Sequence, residues 1–322
     1  MAVNSRGIGQ QHTRGFFYEL KKNKTLFFML LPGMIVLLLN HYLPLFGVII
    51  AFKDFKFLGI NFFDSLLKSD WVGFTNFKYL FSSADAFVIT RNTVLYNTAF
   101  IFLGLVAAVA LAVAFSEMRF RRVARVFQGA MFLPHFLSWV VASHLFYAFL
   151  SYDQGFINRT LLPLLGLKPF AWYTDLRPWP FIIVFLNLWK WAGFNCVIYL
   201  AAILGLEPEH FEAATIDGAN KWQQITKITI PQLVPLMITL TLLNIGQIFR
   251  ADFGLFFHIP RNSGLLFPVT NVIDTYVYNT LLHSGDIGMS SAAGLYQAAV
   301  GFVLVLVTNL VVRKRHSEHA LF

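Results

Sequence analysis

Seven residues set in apolar surroundings have the types and spacing for recognition chemistry. Asn187, Trp189, Lys190 and Asn195 lie in one long apolar stretch, and Asn244, Gln247 and Arg250 in another, with Asp252 just beyond. Amide side chains donate to and accept from hydroxyls. Aromatic rings cover the apolar face of a sugar, and a guanidinium or ammonium pairs with a carboxylate. Such a set suits a polyhydroxylated solute, an acidic sugar included. Ionisable and polar groups inside a bilayer are costly and mark function by default. The same amides also commonly tie helices to one another, and Lys190 could pair with a carboxylate of a partner subunit. Trp139 and Tyr147 fit interfacial anchoring.

Catalytic chemistry finds no support. The chain has no Gly-x-x-x-x-Gly-Lys-Ser/Thr run, no His-Glu-x-x-His, no Cys-x-x-Cys and no Gly-x-Ser-x-Gly. His135 and His144 share an apolar stretch but are better read as packing than as a metal site. Asp153 and Asp175 lack a supporting motif. A lone cysteine, Cys196, excludes an internal disulfide. The expectation is a chain that is not an enzyme and holds no metal or cofactor of its own.

What must position these residues is a membrane domain. Of the 322 residues, 57% are hydrophobic and only 13% charged, and mean hydropathy is +0.62. A soluble domain carries about 25% charged residues. Phe reaches 36 residues. The net charge of +9 lies beside apolar segments, which favours membrane orientation over nucleic-acid binding. Six stretches are long enough to span the hydrocarbon, near 26–50, 93–115, 127–149, 179–204, 231–253 and 290–312. Pro32, Pro44, Pro134 and Pro235 are tolerable there.

Three basic clusters set the orientation: Arg6, Arg14, Lys21, Lys22 and Lys24; Arg119, Arg121, Arg122 and Arg125; and Arg313, Lys314 and Arg315. With six spans all three fall on one side, the cytoplasm, and so do both termini. The long outer connections, 51–92, 150–178 and 254–289, are rich in aromatics, Gly and Pro. The polar first 25 residues, and an apolar run too long for a secretory h-region, predict a cytoplasmic tail rather than a cleaved signal. The chain divides into that tail (1–25), the first span and outer loop (26–92), a core at 93–315 and a C-terminal tail (316–322).

Between spans four and five, residues 205–230 form a short polar interruption. It carries Glu212-Ala213-Ala214, then Asp217-Gly218, and after nine residues Ile228-Thr229-Ile230-Pro231. Pro208 suits a helix's first turn, Glu209 and Glu212 its N-terminal half, and Gly218 its end. The reading is two short helices about a turn, with Trp222, Ile225 and Ile228/Thr229 on one face of the second.

This spacing resembles the Glu-Ala-Ala ("EAA") loop of ABC importer permeases, with Ile230 where that family has Leu. Arg91-Asn92-Thr93 and Trp71-Val72-Gly73-Phe74-Thr75-Asn76-Phe77 are similar to segments of maltose-type sugar permeases. Phe249-Arg250-Ala251-Asp252-Phe253-Gly254, Asn262-Ser263-Gly264 and Gly285-Asp286-Ile287-Gly288-Met289-Ser290 resemble the LplB-like group for polysaccharide and oligosaccharide fragments. The large inserted outer domain of some maltose permeases has no counterpart here.

The resemblance covers about residues 20–315. It implies an all-α, polytopic fold with six transmembrane helices, the type I ABC importer permease fold, in a bacterial plasma membrane. It implies ATPase coupling through Glu212, Ala213, Ala214, Asp217, Gly218, Ile228 and Pro231. The implied assembly has a second homologous permease, two ATP-binding subunits that use ATP and Mg, an extracytoplasmic solute-binding protein and a carbohydrate substrate, with no nucleic acid. An importer for a non-sugar solute and a membrane-embedded glycan-processing enzyme stay open as alternatives. A secondary transporter would usually show internal repeats and membrane-embedded carboxylates, which are not evident.

Overall fold

The computed structural model describes Tyr18, residues 21–58 and residues 61–315. Most of the N-terminal tail, with Arg6 and Arg14, and the C-terminal tail 316–322 lie outside the described residues. The chain separates into two units, 1–49 and 50–322, each described by itself.

The first unit holds most of helix α1 (Lys24–Phe52), which matches the first expected span. Pro32 lies inside its regular portion, and the helix widens at Leu38–Tyr42 before tightening over Leu43–Phe52. Its apolar side chains are almost all exposed, as a helix facing hydrocarbon requires. Asn40 turns its amide back onto the Val36 carbonyl at 2.9 Å.

The second unit opens with a minimal hairpin. β1 (Lys53–Asp54) pairs antiparallel with β2 (Asp70–Trp71), Lys53 opposite Trp71, around α2 (Phe62–Lys68). Then come α3 (Thr75–Ser82), α4 (Ala84–Ser116), α5 (Arg121–Phe136), α6 (Trp139–Leu150), α7 (Trp179–Leu204), α8 (Pro208–Ile216) and α9 (Lys221–Ile245). Three short helices follow, α10 (Phe253–His258), α11 (Phe267–Thr270) and α12 (Ile273–Asn279), before α13 (Ile287–Arg315). α1, α4, α7, α9 and α13 are each long and apolar enough to cross a membrane.

The third expected span, 127–149, is not one straight helix. α5 and α6 meet at a bend of 100° and count as a sixth crossing only when taken together. Pro134 sits in the last turn of α5, and Leu137 and Ser138 are extended. Ser138 then caps α6 by accepting from the Val141 N–H at 3.3 Å. The fifth span also differs from 231–253. α9 starts at Lys221 and stops at Ile245, so the second helix of the polar interruption is not short: it is the head of the span. A widened turn at Ile225–Thr229 precedes Pro231. Proline has no N–H and its ring crowds the preceding turn, and a wider turn accommodates that. The second span likewise begins earlier, at Ala84, with Asp85 favourably placed in its first turn.

Three apolar clusters hold the second unit. Ala108 and Ala112 of α4, both fully buried, let α7 approach with Cys196, Tyr199, Leu200 and Ile203, and Leu233 of α9 joins them. Small residues at a helix crossing bring backbones close where van der Waals packing must supply the association. A second cluster gathers Trp179, Ile183 and Leu186 of α7 with Leu255, Phe256 and Ile259. The third joins Leu80, Ile89, Phe249, Ile273 and Ala293.

The sequence segments singled out earlier have structural work. Asn92 donates to the Asn271 carbonyl at 2.9 Å, Thr93 Oγ1 accepts from the Ile273 N–H at 3.1 Å, and Arg91 donates to the Pro268 carbonyl at 2.8 Å. Together they fasten the chain between α11 and α12 onto α4. Trp71 stacks on Phe52 at 5.8 Å, and Asn76 donates to the carbonyls of Ala51 and Lys53.

Candidate coupling loop and translocation groove

The loop after α7 is built around a sharp reversal. α8 begins with Pro208 in its first turn and Glu209 beside the positive helix end. It ends in a full Schellman arrangement: the Ala219 N–H donates to the Ala214 carbonyl at 2.8 Å and the Gly218 N–H to the Thr215 carbonyl at 3.1 Å. Gly218 has φ +79°, a left-handed conformation that costs a side-chain-bearing residue about 1–2 kcal/mol.

The chain re-enters α9 through a reciprocal cap. Asn220 Oδ1 accepts from the Gln223 N–H at 2.9 Å, and Gln223 Oε1 accepts from the Asn220 N–H at 2.8 Å. Such a cap contributes about 1 kcal/mol. Buried Gln224 reaches back to Thr215 Oγ1 at 2.9 Å, locking α8 to the head of α9. Lys221 pairs with Glu117, at the end of α4, at 3.1 Å. Both are partly exposed, so the pair is worth under about 1 kcal/mol; its effect is to register the loop against the basic α4–α5 connection.

Among the expected coupling residues, Glu212, Ala213, Asp217 and Gly218 are exposed, while Ala214 and Ile228 are half-buried and Pro231 is exposed on α9. Ile216 is 87% and Trp222 70% exposed. On the face expected for Trp222, Ile225 and Ile228/Thr229, Trp222 is exposed, Ile225 and Ile228 are half-buried and Thr229 is buried. Two large apolar side chains thus stand exposed near the carboxylates of Glu212 and Asp217.

The seven recognition candidates separate into three places. Asn195 of α7 and Asn244 of α9 line one cavity of about 170 Å³, with Phe100, Gly104, Tyr199 and Thr241. Neither amide makes a side-chain hydrogen bond among the described residues. Gln247 and Arg250 lie outside it, in a second cavity of about 440 Å³ with Gln297, Gly294 and Gly301 of α13. Asn244, Gln247 and Arg250, spaced at helical intervals in the sequence, do not share one helical face, because α9 ends at Ile245. Asn187, two turns before Asn195, is half-buried. Trp189 is half-buried, edge-on to Phe146 at 5.5 Å.

Lys190 occupies the third place, and neither a solute nor a partner carboxylate is needed to explain it. It is only 7% exposed. Its Nζ donates to the carbonyls of Leu137, His135 (3.3 Å) and Pro134 (3.4 Å). Those carbonyls lie in the last turn of α5 and just beyond it, where Pro134 also accepts from the Leu137 N–H at 3.2 Å, and a cation is favourable at such a helix end. The ammonium also lies 4.8 Å from the Trp139 ring centroid, a contact worth about 2 kcal/mol when desolvated. His135 stacks on Phe194 at 4.4 Å.

Beyond α9 the backbone unwinds over 246–252, and side chains take up its polar groups. Asn97 donates to the Ile248 carbonyl at 2.9 Å and Gln297 to the Phe249 carbonyl at 2.6 Å. Asp274 accepts from the Ala251 N–H at 2.8 Å and from Gln297 at 2.9 Å. Burial pushes the Asp274 carboxyl above the usual carboxylate range, opposed by those two bonds and by Arg250. Asn97, Asp274, Gln297, Gln224 and Lys221 were not singled out from sequence. Only the Asn220-x-x-Gln223 cap had a local signature.

Comparison with known proteins places this architecture. The family described as "Binding-protein-dependent transport system inner membrane component" matches residues 100–317. Protein LplB of Bacillus subtilis (strain 168) is 33% identical over 300 residues, covering 93% of this chain and 92% of that protein. The polygalacturonan/rhamnogalacturonan transport system permease protein YteP of the same organism is 32% identical over 98% of this chain and 96% of its own. Among solved structures, a bacterial ABC transporter involved in import of the acidic polysaccharide alginate superposes with a TM-score of 0.83 at 30% identity, covering 92% of this chain and 98% of that one. A second structure of a bacterial alginate ABC transporter, in complex with an alginate pentasaccharide-bound periplasmic protein, gives 0.82 at 30% identity. The expected all-α type I permease fold and the reading as a transport subunit rather than an enzyme agree with these matches. The chain belongs to the family of binding-protein-dependent transport system inner membrane components, the membrane permeases of ABC importers.

Proposed function

We propose that this permease imports oligosaccharides or polysaccharide fragments by alternating access, driven by separate ATP-binding subunits. The observation that carries the reading is the Asn195–Asn244 cavity. Two amides without internal partners, set among aromatic and small residues between α4, α7 and α9, suit hydroxyl recognition. The similarity to a polygalacturonan/rhamnogalacturonan permease and to an alginate importer supports an acidic sugar. Exposed Arg250, beside Gln247 in the wider cavity, supplies a cation for a uronate carboxylate. Asn187, Trp189 and Lys190 line neither cavity and fall outside this set.

The exposed face of the loop, from Glu212 to Trp222 with Asp217 and Gly218, is the contact for the ATPase. Two such subunits supply ATP and Mg chemistry, a second homologous permease completes the path, and an extracytoplasmic binding protein delivers the solute. Both termini then lie in the cytoplasm of a bacterial cell. Cysteines placed at Arg122 and Lys314 should resist impermeant thiol reagents in intact cells, and labelling from outside would overturn the topology.

The test is uptake by proteoliposomes holding the complete importer, with oligogalacturonide, a neutral oligosaccharide of equal length, and a peptide. Saturable ATP-dependent uptake of the oligogalacturonide supports the proposal. Uptake of the neutral sugar alone removes the acidic preference, and uptake of the peptide alone removes the carbohydrate.

A further inference from the structure

Two interruptions of the membrane helices lie side by side. One is the 100° bend between α5 and α6. The other is the unwound 246–252 stretch at the end of α9. The indole of Trp139, first residue of α6, stands between them. Its face lies 4.8 Å from Lys190 Nζ, whose hydrogens go to the three carbonyls that end α5. Its edge N–H donates to Asp252 Oδ2 at 2.7 Å. The other oxygen of Asp252 caps α10, accepting from the Leu255 N–H at 3.2 Å. Gly254 lies against the same indole so closely that a Cβ there would collide with the ring. One carboxylate, one indole and one ammonium thus join α7, the bend and the far end of α9.

α9 is a continuous helix from the coupling loop to Ile245, and Asp252 lies beyond the unwound stretch that follows it. A displacement imposed at Lys221 reaches Ile245 through that helix and Asp252 through the backbone of 246–252, which Asn97, Gln297 and Asp274 hold in place. We infer that Asp252, Trp139 and Lys190 are positioning residues that transmit movement of the coupling loop to the bent third span, so that the path opens and closes with the ATPase cycle. This rests on the proposed role of the loop as the ATPase contact.

The test uses the complete importer in proteoliposomes, with binding-protein-stimulated ATP hydrolysis and solute uptake measured on the same preparation. Trp139→Phe keeps a ring over Lys190 and removes the N–H. Asp252→Ser keeps a good helix cap but is too short to hold the indole. Each should lower solute imported per ATP hydrolysed about tenfold, the scale of losing one charge-assisted hydrogen bond from one state of a two-state equilibrium. ATP hydrolysis should stay within about twofold of wild type. The double variant should be no worse than either single one, because both remove the same link. Unchanged transport per ATP, a parallel loss of hydrolysis and uptake, or a double variant that multiplies the single effects would each overturn the inference. If wild type itself shows no ATP-linked uptake, the functional reading fails and the joint with it.

Discussion

Gln224 Nε2 donates to Thr215 Oγ1 at 2.9 Å, across the Gly218 turn, and Thr215 Oγ1 in turn donates to the Phe211 carbonyl at 2.7 Å. The relay fixes the angle between α8 and the head of α9, so that a force on the exposed face of α8 is delivered to the long helix instead of flexing the loop. Gln224 is 4% exposed, which keeps water from competing for the bond.

Gln224→Leu should therefore loosen the loop without disturbing the spans. Removing the amide costs about 1 kcal/mol and leaves Thr215 bonded to the Phe211 carbonyl alone, with water replacing the lost donor at the exposed hydroxyl. Hydrogen exchange at residues 215–219 should speed up by about fivefold, while exchange in α7 stays unchanged. Equal exchange in both proteins would show that the relay does not hold the loop.

Asn195→Ala and Asn244→Ala should raise the KM for uptake, each about tenfold, with ATPase association intact. Each removes one or two hydrogen bonds to solute hydroxyls at about 1 kcal/mol apiece. The structure gives neither amide an internal partner to lose, so a large fall in abundance is not expected. Unaltered uptake kinetics in both variants would move the solute site elsewhere, with Gln247 and Arg250 the next to test.

Asp274 predicts a pH dependence. Its carboxyl is raised above 3.8 by burial, so the folded protein holds the proton more tightly than the unfolded chain. The stability this gives is complete below the ordinary carboxylate range and is lost as pH rises through the raised value. Asp274→Asn keeps an oxygen for Ala251 and Gln297 but does not titrate. The melting temperature of the purified complex should therefore decline with rising pH more steeply for wild type than for the variant, over the acid range. Parallel curves would mean that Asp274 does not change protonation on folding.

How far such features can be read in advance depends on whether their causes are local. The fourth span, expected at 179–204, is α7 at Trp179–Leu204, because Pro178, Trp179 and Gly205 mark its ends in the sequence itself. The bend at Leu137–Ser138 was invisible: apolar content runs through it, and hydropathy sums composition without regard to backbone direction. Pro231 read as a helix start, yet the widened turn before it lets α9 continue from Lys221. Asn244, Gln247 and Arg250 have helical spacing, but Asn97, Asp274 and Gln297, distant in sequence, stabilise an unwound backbone there. Lys190 read as a solute contact because the carbonyls that satisfy it lie more than fifty residues away in the chain. By contrast the Gly218 turn, a glycine just past a helix, was legible from its immediate neighbours.

Gly218 allows backbone strain and surface obstruction to be separated. An added Cβ there meets nothing within 4 Å, so Gly218→Ala introduces no clash inside the chain and carries only the cost of φ +79°, about 1–2 kcal/mol. The helix cap that Gly218 completes would weaken, but Gln224 and the Asn220–Gln223 cap still hold the reversal. Gly218→Leu carries the same backbone cost and also projects a branched side chain from the exposed face, between Glu212 and Trp222 in sequence. If that face meets the ATPase, steric exclusion is the larger effect, because the contact must reform in every cycle. The alanine variant should retain most uptake and ATPase copurification. The leucine variant should lose both by at least about tenfold, with normal abundance in the membrane, since the loop lies outside the apolar spans. Equal, mild effects of both substitutions would leave strain as the whole explanation and detach the loop from the ATPase. Wild-type uptake and copurification in the leucine variant would show that this surface is not the coupling element.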